Sequence, residues 1–366
     1  MASRLSVIDG LKVLASQTIV LHHLASYGPI ADAAHTLSPE LFGWLFGYGR
    51  MAVQIFLVAG GFLAARSLAP ACMLIESSLI DLFTRRYIRL AVPLMAAVVV
   101  AVLTACLARG IMVDEAIPAA PGLFQFLAHL FLLHDLLGVP ALSAGVWYVA
   151  IDFQLYSLTI LLLWIARRAA RSMAWAQCFG MAALSALAVS SLFFFNRDAA
   201  WDVAAPYHFA AYSMGMFCFW LTRKRELPVF WICVVVLAAL ASLAVDFRLR
   251  LAVALAVAFV IGIYVRTGLF AGLFAGTWVK RLSRESYSLF LVHFPVCLLV
   301  NAVFARVGGD SSVPVLLALL IAWALSMALA RVFHRKVEAR SDHVLSWLGS
   351  LGLRQGRPIP LSQTGG

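Results

Sequence analysis

Four ionisable side chains stand inside long apolar runs of this 366-residue sequence: His22 and His23 between Leu11 and Tyr27, Asp152 between Val146 and Ala166, and His293 between Ser286 and Ala305. An imidazole that is neutral near pH 7 can take a proton from a hydroxyl, and a carboxylate can fix the tautomer of such a ring or hold a substrate. Neighbouring residues point about 100° apart around a helix, so only one of His22 and His23 can face a given partner. Each of the four, taken singly, is also readable as a hydrogen-bonded structural residue; His293, followed by Phe294 and Pro295, reads first in that way. A second group is basic. Arg86 and Arg89, three apart beside Arg85, share a helix face on which guanidinium forks can grip phosphates. The plainer reading of that cluster is a charge anchor at a membrane surface.

The runs that hold these residues are too greasy for a soluble domain: 63% of the chain is hydrophobic, 12% is charged, and mean hydropathy is +0.94. Spans of roughly 17 to 25 apolar residues fit about ten times into this length. They are expected at Leu11–Tyr27, Met51–Ala65, Tyr87–Ala108, Val146–Ala166, Ala174–Phe195, Pro206–Leu221, Val229–Val245, Leu251–Val265, Ser286–Ala305 and Val313–Ala330. Gly122–Leu137, with His129, His134 and Asp135, is read as an interfacial or re-entrant piece, because an eleventh span would break the alternation of charge. With both termini cytoplasmic, all but six of the 28 Lys and Arg residues (Arg50, Arg109, Arg197, Arg248, Arg250 and Arg306) fall on the inner side. The net charge of +11 therefore reads as membrane topology and not as a nucleic-acid surface.

The expected architecture is an all-α, polytopic transmembrane bundle over residues 1–342, followed by a short, partly disordered cytoplasmic tail over 343–366. The first span carries Asp9 and two histidines and lacks a small-x-small site, so it is read as a mature helix and not a cleaved signal. The six cysteines lie mostly in apolar runs without a C-x-x-C pair, which suggests neither a disulfide framework nor a metal site. At about 1.5 Å of rise per residue, His23 lies roughly 16 Å beyond Lys12, His293 roughly 13 Å beyond Arg284, and Asp152 roughly 22 Å from Arg167. All three reach the middle or outer half of a bilayer, and a shared polar cavity is expected there.

These residues fall into blocks that resemble the acyltransferase 3 family, the membrane acyltransferases of bacterial surface polysaccharides, O-antigen and Nod factors. R-L-S-V-I-D-G-L-K at Arg4–Lys12 is similar to the family's opening block, whose basic residue, ten intervening positions and histidine match Lys12 and His23. Val53–Leu63, Arg85–Pro93 (R-R-Y-I-R-L-A-V-P), Trp147–Tyr156 (W-Y-V-A-I-D-F-Q-L-Y), Ser286–Pro295 (S-Y-S-L-F-L-V-H-F-P) and Phe333–Glu338 (F-H-R-K-V-E) resemble further blocks in family order. The chain departs from the family at Lys12 for arginine, Gln54 for aspartate, Gly60 for serine and Asp152 for glutamate.

The resemblance implies an acyltransferase of the bacterial inner membrane that passes an acyl group, acetyl in the first instance, from acyl-CoA to a surface carbohydrate, with no metal and no permanently bound cofactor. On that reading His23 is the general base and Asp152 either orients it or positions the acceptor. Lys12, Arg85, Arg86 and Arg89 hold the donor's phosphates, while Trp147, Tyr156 and Tyr287, with His293, line the sugar site. Two other readings stand beside it. One is a transporter or flippase of a lipid-linked sugar, with His and Asp relaying protons; the other is a catalytically inactive member of the same family, suggested by Lys12, Gln54 and Gly60.

Overall fold

A computed structural model describes residues 6–223, 229–269, 272–308 and 311–350. Among them the chain forms fourteen α-helices joined by short 3-10 turns and loops, with no strand. Lipid offers no hydrogen bonds to a backbone, and a helix satisfies its own peptide groups internally. The ten expected spans each fall on a helix: α1 (Ser6–Leu24), α4 (Val53–Leu68), α5 (Leu79–Arg109), α7 (Val146–Ala169), α8 (Met173–Phe193), α9 (Ala205–Leu221), α10 (Val229–Val245), α11 (Leu249–Thr267), α12 (Thr277–Val307) and α13 (Ser312–Lys336). Seven helical segments are long and apolar enough to cross a membrane; α1 and α9 are outside that set, and α10 is apolar but has 17 residues. Two short helices, α2 (Gly28–Leu37) and α3 (Pro39–Tyr48), cover the end of α1. Of the tail expected from residue 343, α14 (Ser341–Ser350) takes the first part, and the remainder lies outside the described residues, as does Arg4.

The piece expected to be re-entrant contains only α6 (Leu123–Leu130), about 12 Å long and too short to span. Its turn is built on two stacked imidazoles, His129 and His134, whose centroids are 4.2 Å apart. His129 Nδ1 donates to the Gln125 carbonyl at 2.8 Å, and its bare Nε2 accepts the Leu142 N–H at 3.1 Å. That pattern requires a neutral ring, and burial depresses both histidines to about 4. Between that value and the ordinary 6.5 the unfolded chain binds protons that the folded segment refuses, so its stability is complete above 6.5 and falls as the pH drops toward 4. Hydrogen exchange at the Leu142 amide, corrected for the intrinsic rate, should therefore show weaker protection at pH 4.5 than at pH 7; equal protection would contradict this assignment.

The centre of the bundle is the contact between α4 and α9. Almost every residue of α9 is buried, including Phe209, Tyr212 and Trp220, so a segment that reads in sequence as a lipid-facing span is wrapped in protein on all sides. A helix apolar all round fits either setting, and hydropathy alone does not separate them. Small residues let the two backbones touch, as is common between helices in lipid. A Cβ at Gly61 would land on the Tyr212 carbonyl, and one at Gly215 on that of Val58. Backbone cannot swing aside as a side chain can. Either Gly61→Val or Gly215→Val should cost about 3 kcal/mol or more, read as a lower midpoint of thermal unfolding in detergent, whereas the same change at Gly43, where no atom lies within 4 Å, should be nearly silent.

The long α12 lies beside this pair, packed against α1, α5 and α13. Pro295 sits inside it and Pro93 inside α5. Each proline removes a helical N–H and leaves the carbonyl four residues earlier, at Leu291 and Arg89, without its usual donor. Both breaks occur beside polar residues, His293 on α12 and Arg89 on α5.

Candidate active site

The polar residues gather at two levels. The lower one is a cavity of about 270 Å³ toward the end of the bundle that carries Arg85, Arg86 and Arg89. Its cations are Lys12 from α1 and Arg86 and Arg89 from α5; its anions are Asp152 from α7 and Glu338 beyond α13. Arg89 is exposed and marks the mouth. Phe56 and Gly60 of α4, Tyr148 of α7, and Ser286, Tyr287 and Phe290 of α12 complete much of the wall.

Within the cavity Arg86 and Asp152 form an ion pair, with side-chain exposures of 32% and 9%. The Arg86 guanidinium lies 4.9 Å from the centroid of the Tyr156 ring, and its buried Nε carries no hydrogen bond. The carboxylate and the ring thus hold a guanidinium whose remaining donors stay available for an anion. Tyr287 donates to the Leu90 carbonyl at 3.0 Å, which ties α12 to α5 in the turn that precedes Pro93. Glu338 accepts from Ser288 Oγ at 2.5 Å and from His334 Nδ1 at 3.0 Å, so the last carboxylate of the final sequence block is fixed to α12 and α13. Lys12 is the third cation, on a different helix from the arginines.

The upper level is a pair of imidazoles. His23 Nδ1 lies 2.5 Å from His293 Nε2, the two rings nearly parallel at 4.8 Å between centroids. His293 Nδ1 is 3.0 Å from the Leu289 carbonyl. A carbonyl only accepts, so that nitrogen carries the His293 proton and Nε2 is bare. The hydrogen of the His23–His293 bond must then belong to His23 Nδ1, and the lone pair of a neutral His23 is left on Nε2. That atom has no protein partner among the described residues, and His23 keeps 9% of its surface open. A chain of fixed donors ending in a bare nitrogen is the arrangement a general base needs. Its neighbour His22 points elsewhere, donating from Nδ1 to the Leu45 carbonyl of α3 at 2.9 Å, as the angular offset of adjacent residues requires.

One shared cavity for His23, Asp152 and His293 was expected, and the structure divides them. Asp152 pairs with Arg86 of α5 and not with His23, whose Nδ1 meets His293 instead. The residues expected at a sugar site are likewise dispersed. Tyr287 lines the lower cavity, Tyr156 lies under Arg86, Trp147 packs at 5.8 Å from His208, and His293 backs His23. Lys12, Arg86 and Arg89 share the cavity wall, whereas Arg85 is outside it. Sequence reasoning passed over Tyr148, Phe290 and Glu338 as wall residues. Position offered a signal for two of them: Phe290 is three residues from both Tyr287 and His293 on one helix face, and Glu338 closes the last family-like block.

A family model described as an acyltransferase domain matches residues 5–333. Over 169 residues, 42% of its length, the chain is 30% identical to a Caenorhabditis elegans protein named "Regulator of hypoxia-inducible factor 1". The chain spans about a third, 33%, of that relative. No solved structure matches.

Proposed function

The chain belongs to the acyltransferase 3 family, and from that membership we propose that it moves an acyl group, acetyl in the simplest case, from cytoplasmic acyl-CoA to a hydroxyl of a surface glycan or related carbohydrate at a bacterial inner membrane. The observation that carries this reading is the donor chain from the Leu289 carbonyl through His293 to the bare Nε2 of His23.

In the reaction the acceptor oxygen attacks the thioester carbonyl carbon while His23 Nε2 takes its proton. The tetrahedral intermediate then expels the CoA sulfur, which leaves as thiol after receiving that proton from the imidazolium. Until then His293 accepts from Nδ1 of the charged ring, which fixes its orientation. Arg86, Arg89 and Lys12 meet the donor's phosphates. Ligand sites for whole drug-sized molecules run from about 300 to 1,000 Å³, so the cavity of about 270 Å³ takes only part of the donor, with the rest outside near Arg89 and Arg85.

Purified protein in lipid nanodiscs should release CoA thiol from acetyl-CoA and place acetyl on added glycan in equal amounts. Intact acetyl-CoA after incubation with the folded protein and a panel of envelope glycans would remove the enzymatic reading and favour a transport role.

A further inference from the structure

An aromatic cluster in the wall of the lower cavity reaches the imidazole pair. Phe56 of α4, Tyr148 of α7 and Phe290 of α12 all line the cation-bearing cavity. Their centroids form a closed triangle: 5.9 Å from Phe56 to Tyr148, 6.2 Å from Phe56 to Phe290 and 5.4 Å from Tyr148 to Phe290. Rings at such spacings are in contact, two of the three pairs edge against face and the Phe56–Tyr148 pair tilted. The other side of Phe290 faces His293 at 6.3 Å. His23 and His293 themselves are not part of the cavity wall.

Two features of the backbone set the surroundings of Phe290. Gly145, immediately before α7, has a φ of +91°, and a Cβ there would sit 2.9 Å from Phe290 Cζ. That position thus demands glycine on both counts, and the ring uses the space that glycine vacates. Pro295, five residues beyond Phe290 on α12, removes the N–H that would bond the Leu291 carbonyl, so the helix is loosened one residue past the ring.

We infer that Phe56, Tyr148 and Phe290 form an internal seal between the cation-lined cavity and the His23–His293 pair, and that Phe290 is the ring whose displacement joins the two. The seal keeps the basic face and the opposite face of the bundle from communicating through the protein. Its consequence for turnover rests on the acyl-transfer reading: the thioester meets the base only while Phe290 is displaced, and a permanently open seal lets water attack the thioester, giving free acid and CoA thiol without acceptor.

The seal itself is testable without acyl-CoA, so its failure is distinguishable from failure of that reading. Ser286 lines the cavity and is 1% exposed. In a protein whose exposed Cys106, Cys178 and Cys233 are replaced by serine, Ser286→Cys reports on the cavity when a charged, membrane-impermeant thiol reagent is added to one face of oriented vesicles. With Phe290 in place, labelling should occur from the basic face only. Adding Phe290→Ala should abolish that sidedness, and Phe56→Ala, which breaks the same triangle from another helix, should do so if the first variant does not fold. Labelling of Ser286→Cys from both faces with all three rings intact, or sidedness that survives in a folded variant lacking either phenylalanine, would overturn the inference.

Discussion

Replacing His23 with alanine should lower acyl transfer by about 10² to 10⁴, the range a positioned general base contributes, while leaving expression and membrane insertion intact. The side chain is removed from the penultimate residue of α1, where it makes one hydrogen bond, to buried His293, so the cost to the fold is about 1 to 3 kcal/mol. The companion variant His293→Gln separates the two roles. Glutamine can still accept from His23 Nδ1, so it should retain part of the activity; His293→Phe, which cannot accept, should approach the His23→Ala level. Equal and full activity in all three variants, measured as acetyl incorporated by protein of matched abundance, would place the chemistry elsewhere.

The second large effect is expected at the Arg86–Asp152 pair. Asp152 is 9% exposed at its side chain, and Arg86→Ala leaves that carboxylate buried with no cation opposite. Removing one partner of a buried pair typically costs about 3 to 5 kcal/mol; with Arg86 itself about one-third exposed, the lower end applies. Asp152→Asn keeps the shape and removes the charge, and should cost less. Both should abolish donor binding, since Arg86 then lacks either its guanidinium or the group that aims it. The double variant Arg86→Ala with Asp152→Asn should recover much of the lost stability and none of the activity. Thermal unfolding in detergent, run as a double-mutant cycle, measures this directly: additive single-variant losses would show that the two side chains are energetically independent.

How much of this was legible in the sequence depends on the kind of signal. The helices were, because apolar runs between basic clusters leave the backbone one solution in lipid. That Gly122–Leu137 is not a further span was legible as well, since counting it would break the alternation of charge, and its one helix, α6, has eight residues. What hydropathy could not distinguish was lipid from protein: α9 has the composition of a membrane-facing helix and is the buried centre, a fact carried by the close approach of Gly61 to Tyr212 and of Gly215 to Val58. At the site, the titratable residues were identifiable singly, because each is costly inside a bilayer. Their pairing was not. His23 and His293 are 270 positions apart, and Asp152 and Arg86 are 66 apart, so spacing along the chain says nothing about which carboxylate meets which base. Asp152 was expected either to orient His23 or to position the acceptor; the structure pairs it with Arg86 and sets a second imidazole against His23. The aromatic layer was invisible for the opposite reason: Phe56, Tyr148 and Phe290 look like core residues in sequence, and their position between two polar levels appears only in three dimensions.

The central claim is that His293 fixes His23 so that Nε2 is the free base. Nitrogen-15 NMR of histidine-labelled protein in nanodiscs at neutral pH, with His23 assigned by comparison with His23→Ala, reads the state of both ring nitrogens. A protonated Nδ1 coupled through its hydrogen bond to His293, beside a bare Nε2, is the expected result. A proton on Nε2, or a His23 spectrum unchanged by His293→Phe, would contradict it.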